Sequence, residues 1–296
     1  MAHRPEFLEF RVGDEADGTA TVLGALSWPG IVGAPTVLAV HGITANAWSW
    51  DPVAHYLAGG AHLVAVDLRG RGRSYRTGGP YGMRRHADDV AEIVDHLGGP
   101  LSLAGHSMGA YVVLMAAERH PALVRDLLLV DGGTPLPRPD GDIDAALEHG
   151  LGPAIERLGI VWPDRVSYQS MWSQHPAFVD GIGPHLERNL LADLVEVDGG
   201  FRTAVDEEAV RYDGRELLAD DEVRTLLDRR EQPTTIVRAE YGMFGTPPPM
   251  IAAEHCERYA QHRWIEGHGL NHYTVMTSAA GATLVADALR SVITRP

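Results

Sequence analysis

Four short apolar runs separated by amphipathic segments constrain the fold of this chain more than any other feature. The runs TVLAVHG (36–42), HLVAVDLRG (62–70), LSLAGHS (101–107) and RDLLLVDGG (125–133) are too apolar to leave a face in water. They read as strands buried on both sides. Between them lie AWSWDPVAHYLAGG, MRRHADDVAEIVDHLGG and GAYVVLMAAERHP, in which apolar residues recur every three to four positions before a Gly or Pro. That period makes one apolar helix face, and the alternation predicts a parallel sheet with helices on both sides. Ahead of it, EFLEFRV and ATVLGALSW flank GDEADGT, the pattern of an antiparallel hairpin.

The rhythm breaks between residues 134 and 232. Strand-like runs vanish, and helical segments such as DIDAALEHGLGPAIERLG and DDEVRTLLDRREQ take over. It resumes with TTIVRAE, a helix over PPMIAAEHCERYAQH, the strand-like HRWIEGHGLNHY and a last helix, SAAGATLVADALRSVI. The expected organisation is a core of residues 1–133 and 233–296 carrying a helical insertion over 134–232, with TPLPRPDGD as a hinge at its start. A chain of 296 residues, 45% of them apolar, can bury a core of that size.

The formal net charge is −15, and the 25 cationic residues are all arginine with no basic cluster, which argues against nucleic acid or an anionic membrane as partner. A single cysteine, Cys256, excludes an internal disulfide and a CxxC site. The chain begins without a basic region followed by an apolar core, and no apolar run approaches the length of a membrane span. Neither export nor membrane insertion is expected, and the cytoplasm is the expected location. The histidines are scattered, with no metal-binding spacing, so neither metal nor cofactor is expected.

Ser107 stands between Gly105 and Gly109 where the strand SLAGHS gives way to a helix. A serine hydroxyl is a weak nucleophile unless a base accepts its proton and donors face the developing oxyanion. A sharp turn with glycines two residues to either side would hold that hydroxyl at the carboxyl edge of the sheet, the geometry of a G-x-S-x-G nucleophile elbow. His106 adjoins Ser107 but points away at such a turn, so a packing or supporting role is expected for it.

On GHSMG, on VHGIT (40–44) and DLRGRGRS (67–74) after earlier strands, and on NHYT (271–274), the chain resembles the α/β-hydrolase superfamily, in particular its capped members. The resemblance implies a mostly parallel eight-stranded sheet with helices on both faces and a helical cap after the sixth strand. It implies a base histidine after the last strand, for which His272 fits and His268 competes. His255 and His262 fall on a helical pattern and are expected at the surface. Many relatives carry their acid as Gly-x-x-Asp after the strand equivalent to TTIVRA, but here that position is Gly242. Asp131, at the end of the neighbouring strand about 4.8 Å away, is better placed, and some members of the superfamily do take their acid there; Glu240 is the alternative. The backbone amides of Ile43 and Met108 are the expected oxyanion donors, with His41 bracing their loop. Gly70 and Gly72 read as permissive turn positions with a structural role.

The expected function is a cofactor-independent serine hydrolase acting on an ester, lactone or thioester through an acyl-enzyme. Carbon–carbon bond hydrolysis, a lyase reaction, or a low-turnover receptor of the same shape remain open. The insertion carries Trp162, Tyr168, Trp172, Phe178, Phe201 and Tyr212. If half of them line the cleft, the substrate is a bulky apolar or aromatic small molecule.

Overall fold

A computed structural model of the chain describes residues 4–14, 16–18 and 20–294. Met1 to His3, two positions of the expected hairpin turn (Glu15 and Thr19) and the last two residues lie outside the described residues.

Among the described residues ten strands form: β1 Glu6–Val12, β2 Thr21–Trp28, β3 Thr36–Val40, β4 His62–Val66, β5 Leu101–His106, β6 Val124–Val130, β7 Leu194–Val197, β8 Gly200–Thr203, β9 Thr235–Tyr241 and β10 Arg263–Asn271. Eight of them make one sheet in the order β1-β2-β4-β3-β5-β6-β9-β10. The first two pairings, β1 with β2 and β2 with β4, are antiparallel; the remaining five are parallel. The expected mostly parallel eight-stranded α/β architecture is the one observed.

Alternation along the strands divides the core. Leu38 and Val40 of β3 join one apolar cluster, with α2 (Met83–His96) and α3 (Met108–Arg119). Val37 and Ala39 face the other, with α1 (Asp51–Leu57) and the C-terminal helix (Ala279–Ile293). Successive side chains of a strand point to opposite faces, so continuous apolar runs are what a sheet covered on both sides needs.

Between β6 and β9 run α4 (Ile143–Leu158), α5 (Arg165–Ser173), α6 (Pro184–Ala192), α7 (Glu207–Ala219) and the short α8 (Asp221–Arg224). Tyr168, Trp172, Phe178, Leu186 and Leu190 give this segment an apolar cluster of its own. The expectation that it holds no strand is overturned: β7 and β8 pair as an antiparallel hairpin across Asp198-Gly199. An Asp-Gly turn between apolar residues is a strong hairpin signal, and it was masked by the helical pattern on both sides.

Two expected helices are also shorter. The one expected over 248–262 survives only as α9 (Glu254–Arg258), because three prolines at 247–249 offer no backbone donors. The one expected over 220–232 is reduced to α8 and turns. The C-terminal region closes with α10 (Thr274–Thr277) and α11 (Ala279–Ile293), the latter capped by Ser278, whose hydroxyl accepts from the Gly281 amide at 3.0 Å. Since α9 ends at Arg258, His262 falls at the entry to β10. There it is buried and accepts from the Thr234 amide at 3.4 Å, so the expected surface position is corrected. His255 is half-buried against Tyr259, its ring centroid 5.9 Å away, and is likewise not a free surface residue.

Candidate active site

Strand β5 passes into α3 through a single residue, Ser107, held at φ 54° and ψ −121°. A non-glycine residue in that region is strained unless its surroundings fix it. The approach is so close that a Cβ on Gly105 would sit 2.2 Å from the Gly109 carbonyl oxygen, and one on Gly109 would sit 2.3 Å from that of Val40. Backbone cannot give way there, so both positions exclude any side chain. Ser107 donates its own amide to Val130 at 2.9 Å, which ties the turn to β6.

The structure brings Ser107, His272 and Asp131 together. Ser107 Oγ lies 3.0 Å from His272 Nε2, and His272 Nδ1 lies 2.7 Å from Asp131 Oδ2. The other oxygen of Asp131 accepts from the Ala239 amide at 3.1 Å, and its own amide donates to Val237 at 2.8 Å. Asp131 also takes a positive φ, 46°, at the end of β6. A carboxylate oriented this way fixes the imidazole as the Nδ1–H tautomer, leaving Nε2 to accept from the serine hydroxyl.

The alternatives lie elsewhere. Glu240 accepts from the Gly269 amide at 2.7 Å and sits 3.9 Å from His268, whose side chain is 84% exposed. The pair stands on the surface without contact to Ser107. A side chain at Gly242, the usual acid position, is blocked because a Cβ there would meet the Pro248 carbonyl oxygen at 2.3 Å.

Two backbone N–H groups are the candidate donors: that of Met108, next after the serine at the start of α3, and that of Ile43, next after Gly42, a Cβ on which would lie 3.2 Å from that of Ser107. Neither donates a hydrogen bond among the described residues. The Ile43 peptide is fixed from behind by Arg71, whose Nε donates to its carbonyl at 2.9 Å while Nη1 pairs with Asp213 at 2.6 Å. His41 donates through Nδ1 to the Gly42 carbonyl at 2.7 Å and accepts at Nε2 from the Leu68 amide at 3.1 Å. Burial drives its pKa down to about 3, which keeps the neutral tautomer that this pair of bonds requires. His106 lies beneath His272, ring centroids 4.9 Å apart, and donates through Nε2 to the His272 carbonyl at 3.0 Å. Burial, with the neighbouring His272 adding to it, holds its pKa well below the ordinary value.

Residues 35–152 match the family model described as the alpha/beta hydrolase fold. A crystal structure of E-2-(acetamidomethylene)succinate hydrolase superimposes with a TM-score of 0.78, covering 98% of this chain and all of that one at 23% identity, a likeness of fold. The chain has the α/β-hydrolase fold, and residues 35–152 carry the sequence match to that family's model. Among curated relatives, the 2-(acetamidomethylene)succinate hydrolase of Mesorhizobium japonicum is 37% identical over 98 residues, 33% of this chain and 35% of the relative. An esterase of Mycobacterium tuberculosis is 36% identical over 114 residues, 38% of this chain and 37% of the relative. The chain thus aligns with little more than a third of the length of either relative.

In this fold the insertion and the carboxyl ends of the strands enclose a cavity of about 720 Å³, with Ser107 and His272 on its wall. Trp162, Trp172 and Phe178 line it; Tyr168 and Phe201 pack behind them and Tyr212 is half exposed. Leu136 to Pro139, from the expected hinge, line its rim. Among the described residues no helix is long and apolar enough to cross a membrane, and no cluster of three or more His, Cys, Asp or Glu could hold a metal. Sequence reasoning missed Arg71 as the buttress of the Ile43 loop and Arg157 on the cavity wall. Neither carries a local signal, because an arginine reads as surface until the fold buries it.

Proposed function

We propose that this protein is a serine hydrolase that cleaves a carboxylic ester, lactone or thioester through an acyl-enzyme. The observation that carries the reading is the continuous hydrogen-bond chain Ser107–His272–Asp131 on the wall of a cavity, beside two uncommitted amides. Ser107 Oγ attacks the carbonyl carbon while His272 Nε2 takes its proton. Ile43 and Met108 donate to the oxyanion of the tetrahedral intermediate, a contribution worth about 3 kcal/mol per donor in such sites. His272 then gives its proton to the departing alcohol or thiol. Water enters, losing a proton to the same nitrogen, and attacks the acyl carbon; the acid leaves and the serine is restored. The apolar wall around Trp162, Trp172 and Phe178 suits an apolar or aromatic body on the substrate.

The likeness to the two hydrolases named above supports the reaction class. The name of the first favours a second reading, in which the bond broken is an amide. The same groups would serve, with nitrogen in place of oxygen as the leaving atom.

A fluorophosphonate should label Ser107 in the folded protein, and 4-nitrophenyl esters should be hydrolysed in parallel with the matching anilides to settle which bond is cleaved. Asp131→Asn should lower turnover by about four powers of ten, because the amide stabilises the wrong tautomer. Glu240→Gln should stay close to wild type. An unlabelled Ser107, or equal rates in wild type and Asp131→Asn, would overturn the reading.

A further inference from the structure

Arg157, near the C-terminal end of α4, lines the cavity with its guanidinium over the Trp172 ring, 4.5 Å from the centroid. Its Nε is buried and has no hydrogen-bond partner, and among the described residues its side chain has neither a hydrogen bond nor an ion pair. The two fully buried arginines are each paired, Arg69 with Asp89 and Arg71 with Asp213, both at 2.6 Å, whereas Arg157, like Arg230, is half-buried with an unpartnered Nε; of these two only Arg157 lines the cavity. A cation on an apolar wall without a counter-ion is costly, so its partner is expected from outside the chain.

Its surroundings favour an anion. Among the described residues, further donors on the same wall lack acceptors, Trp162 and His175 among them. The indole N–H of Trp162 is buried without a partner. His175 accepts from the Ala177 amide at Nδ1, 3.2 Å, which leaves Nε2 as the protonated nitrogen of the neutral ring. Asp193, on the same cavity wall and within reach of the Arg157 charge, is already engaged: it accepts from the Tyr168 hydroxyl and, at 3.4 Å, from the Asn46 side-chain amide. The Arg157 charge also reaches Tyr273, the residue after His272, so it acts across the same cavity as the reacting groups. With a net charge of −15 the molecule as a whole repels anions, so an anion entering the cavity depends on a local cation such as Arg157.

We propose that Arg157 anchors a substrate carboxylate, so that the substrate is an acid-bearing ester, thioester or amide whose reacting carbonyl lies at Ser107 and whose anionic end lies under α4 and α5. This rests on the assignment of Ser107, His272 and Asp131 as the reacting groups. A guanidinium meets a carboxylate through two parallel hydrogen bonds, and its stacking on Trp172 fixes the plane in which it does so.

The test pairs each acidic substrate with a neutral one of equal chain length. In one arm, mono-4-nitrophenyl esters of glutaric, adipic and suberic acids are compared with the 4-nitrophenyl esters of pentanoic, hexanoic and octanoic acids. In the other, the carboxylate is moved to the leaving group, 3-carboxyphenyl against phenyl butanoate. In at least one arm wild type should favour the acidic member in kcat/KM by about tenfold or more, and Arg157→Gln should abolish that ratio mainly through KM. Arg157→Lys, which keeps the charge without the fork, should retain part of it. Equal or reversed preference in both arms of wild type, or a ratio unaltered in Arg157→Gln, overturns the proposal. Titration calorimetry with adipate separates the two levels of inference. Adipate binding that is lost in Arg157→Gln, with no ester turned over, rejects the hydrolase and keeps the anchor. Turnover of neutral esters without acid preference or adipate binding does the reverse.

Discussion

His41 shows how a residue far from any reacting atom can set the conditions under which the site exists. Both its ring nitrogens are committed, one donating to the Gly42 carbonyl and the other accepting from the Leu68 amide, and burial takes its pKa from the ordinary 6.5 to about 3. Between those values the unfolded chain binds a proton at this residue and the native protein does not. Acid therefore favours unfolding, and the penalty begins as pH falls below 6.5. At pH 5 this single group costs about 2 kcal/mol of stability relative to pH 7. Burial of His106 and His262 works in the same direction. Asp67, pushed up to about 6 by burial, works against it, so the comparison has to isolate His41. Urea denaturation at pH 7 and pH 5 should give a wild-type loss about 2 kcal/mol larger than that of His41→Asn. Equal losses would mean that the ring is not held neutral. The sequence suggested that His41 braces its loop, and Ser107 and His272 were readable as candidate nucleophile and base from their places at the turn after β5 and the end of β10; the structure brings the two within 3.0 Å. The sequence favours Asp131 over Glu240 because its strand follows the elbow helix, and the observed strand order, with β6 between β5 and β9, is what puts that carboxylate beside His272.

At the scale of elements, local pattern served well where a segment is surrounded by its own kind of packing and poorly where neighbours decide. The central strands and α2, α3 and α11 follow from apolar period alone, since each buries one continuous face or both. The β7–β8 hairpin was hidden because four residues a side is too short a signal beside long helices, and α9 shrank because prolines displaced its start. Glycines make the distinction testable. Gly109→Ala puts a Cβ 2.3 Å from the Val40 oxygen and 2.7 Å from that of His41, both backbone atoms of a central strand end that cannot retreat. Gly150, inside α4, has nothing within 4 Å of its would-be Cβ, so Gly150→Ala gains only helix propensity. Thermal melts should show Gly109→Ala failing to fold or losing more than about 3 kcal/mol, and Gly150→Ala gaining about 0.5–1 kcal/mol. A well-folded Gly109→Ala would remove the steric reason given for the elbow.

The molecule as a whole works only if the insertion is held against the sheet, and α7 supplies that hold. Asp213 receives the Gly82 amide at 2.8 Å, pairs with Arg71 at 2.6 Å and lies 2.9 Å from His86, while Glu216 takes the Met83 amide at 2.6 Å. Burial raises the Asp213 carboxyl, and its contacts with His86 and Arg71 more than reverse that, leaving it below the ordinary aspartate range. The strand-and-helix rhythm of the sequence set residues 134–232 apart as an expected insertion. It carried no trace of this clasp, whose partners are distant in the chain and individually ordinary. Asp213→Asn would leave Arg71 buried without its counter-charge, which costs about 3–5 kcal/mol. Because the same guanidinium fixes the Ile43 carbonyl, turnover should fall even in the fraction that stays folded. Arg84 joins α2 to the start of α8 through Asp220 and Glu222, but at 41% exposure, so Arg84→Ala should cost less than about 1 kcal/mol and leave turnover near wild type. Urea denaturation and ester turnover measured on both variants decide the point. If Asp213→Asn behaves like Arg84→Ala, the insertion is held by its apolar contacts with α2 and α3 alone, and the Ile43 loop does not depend on Arg71.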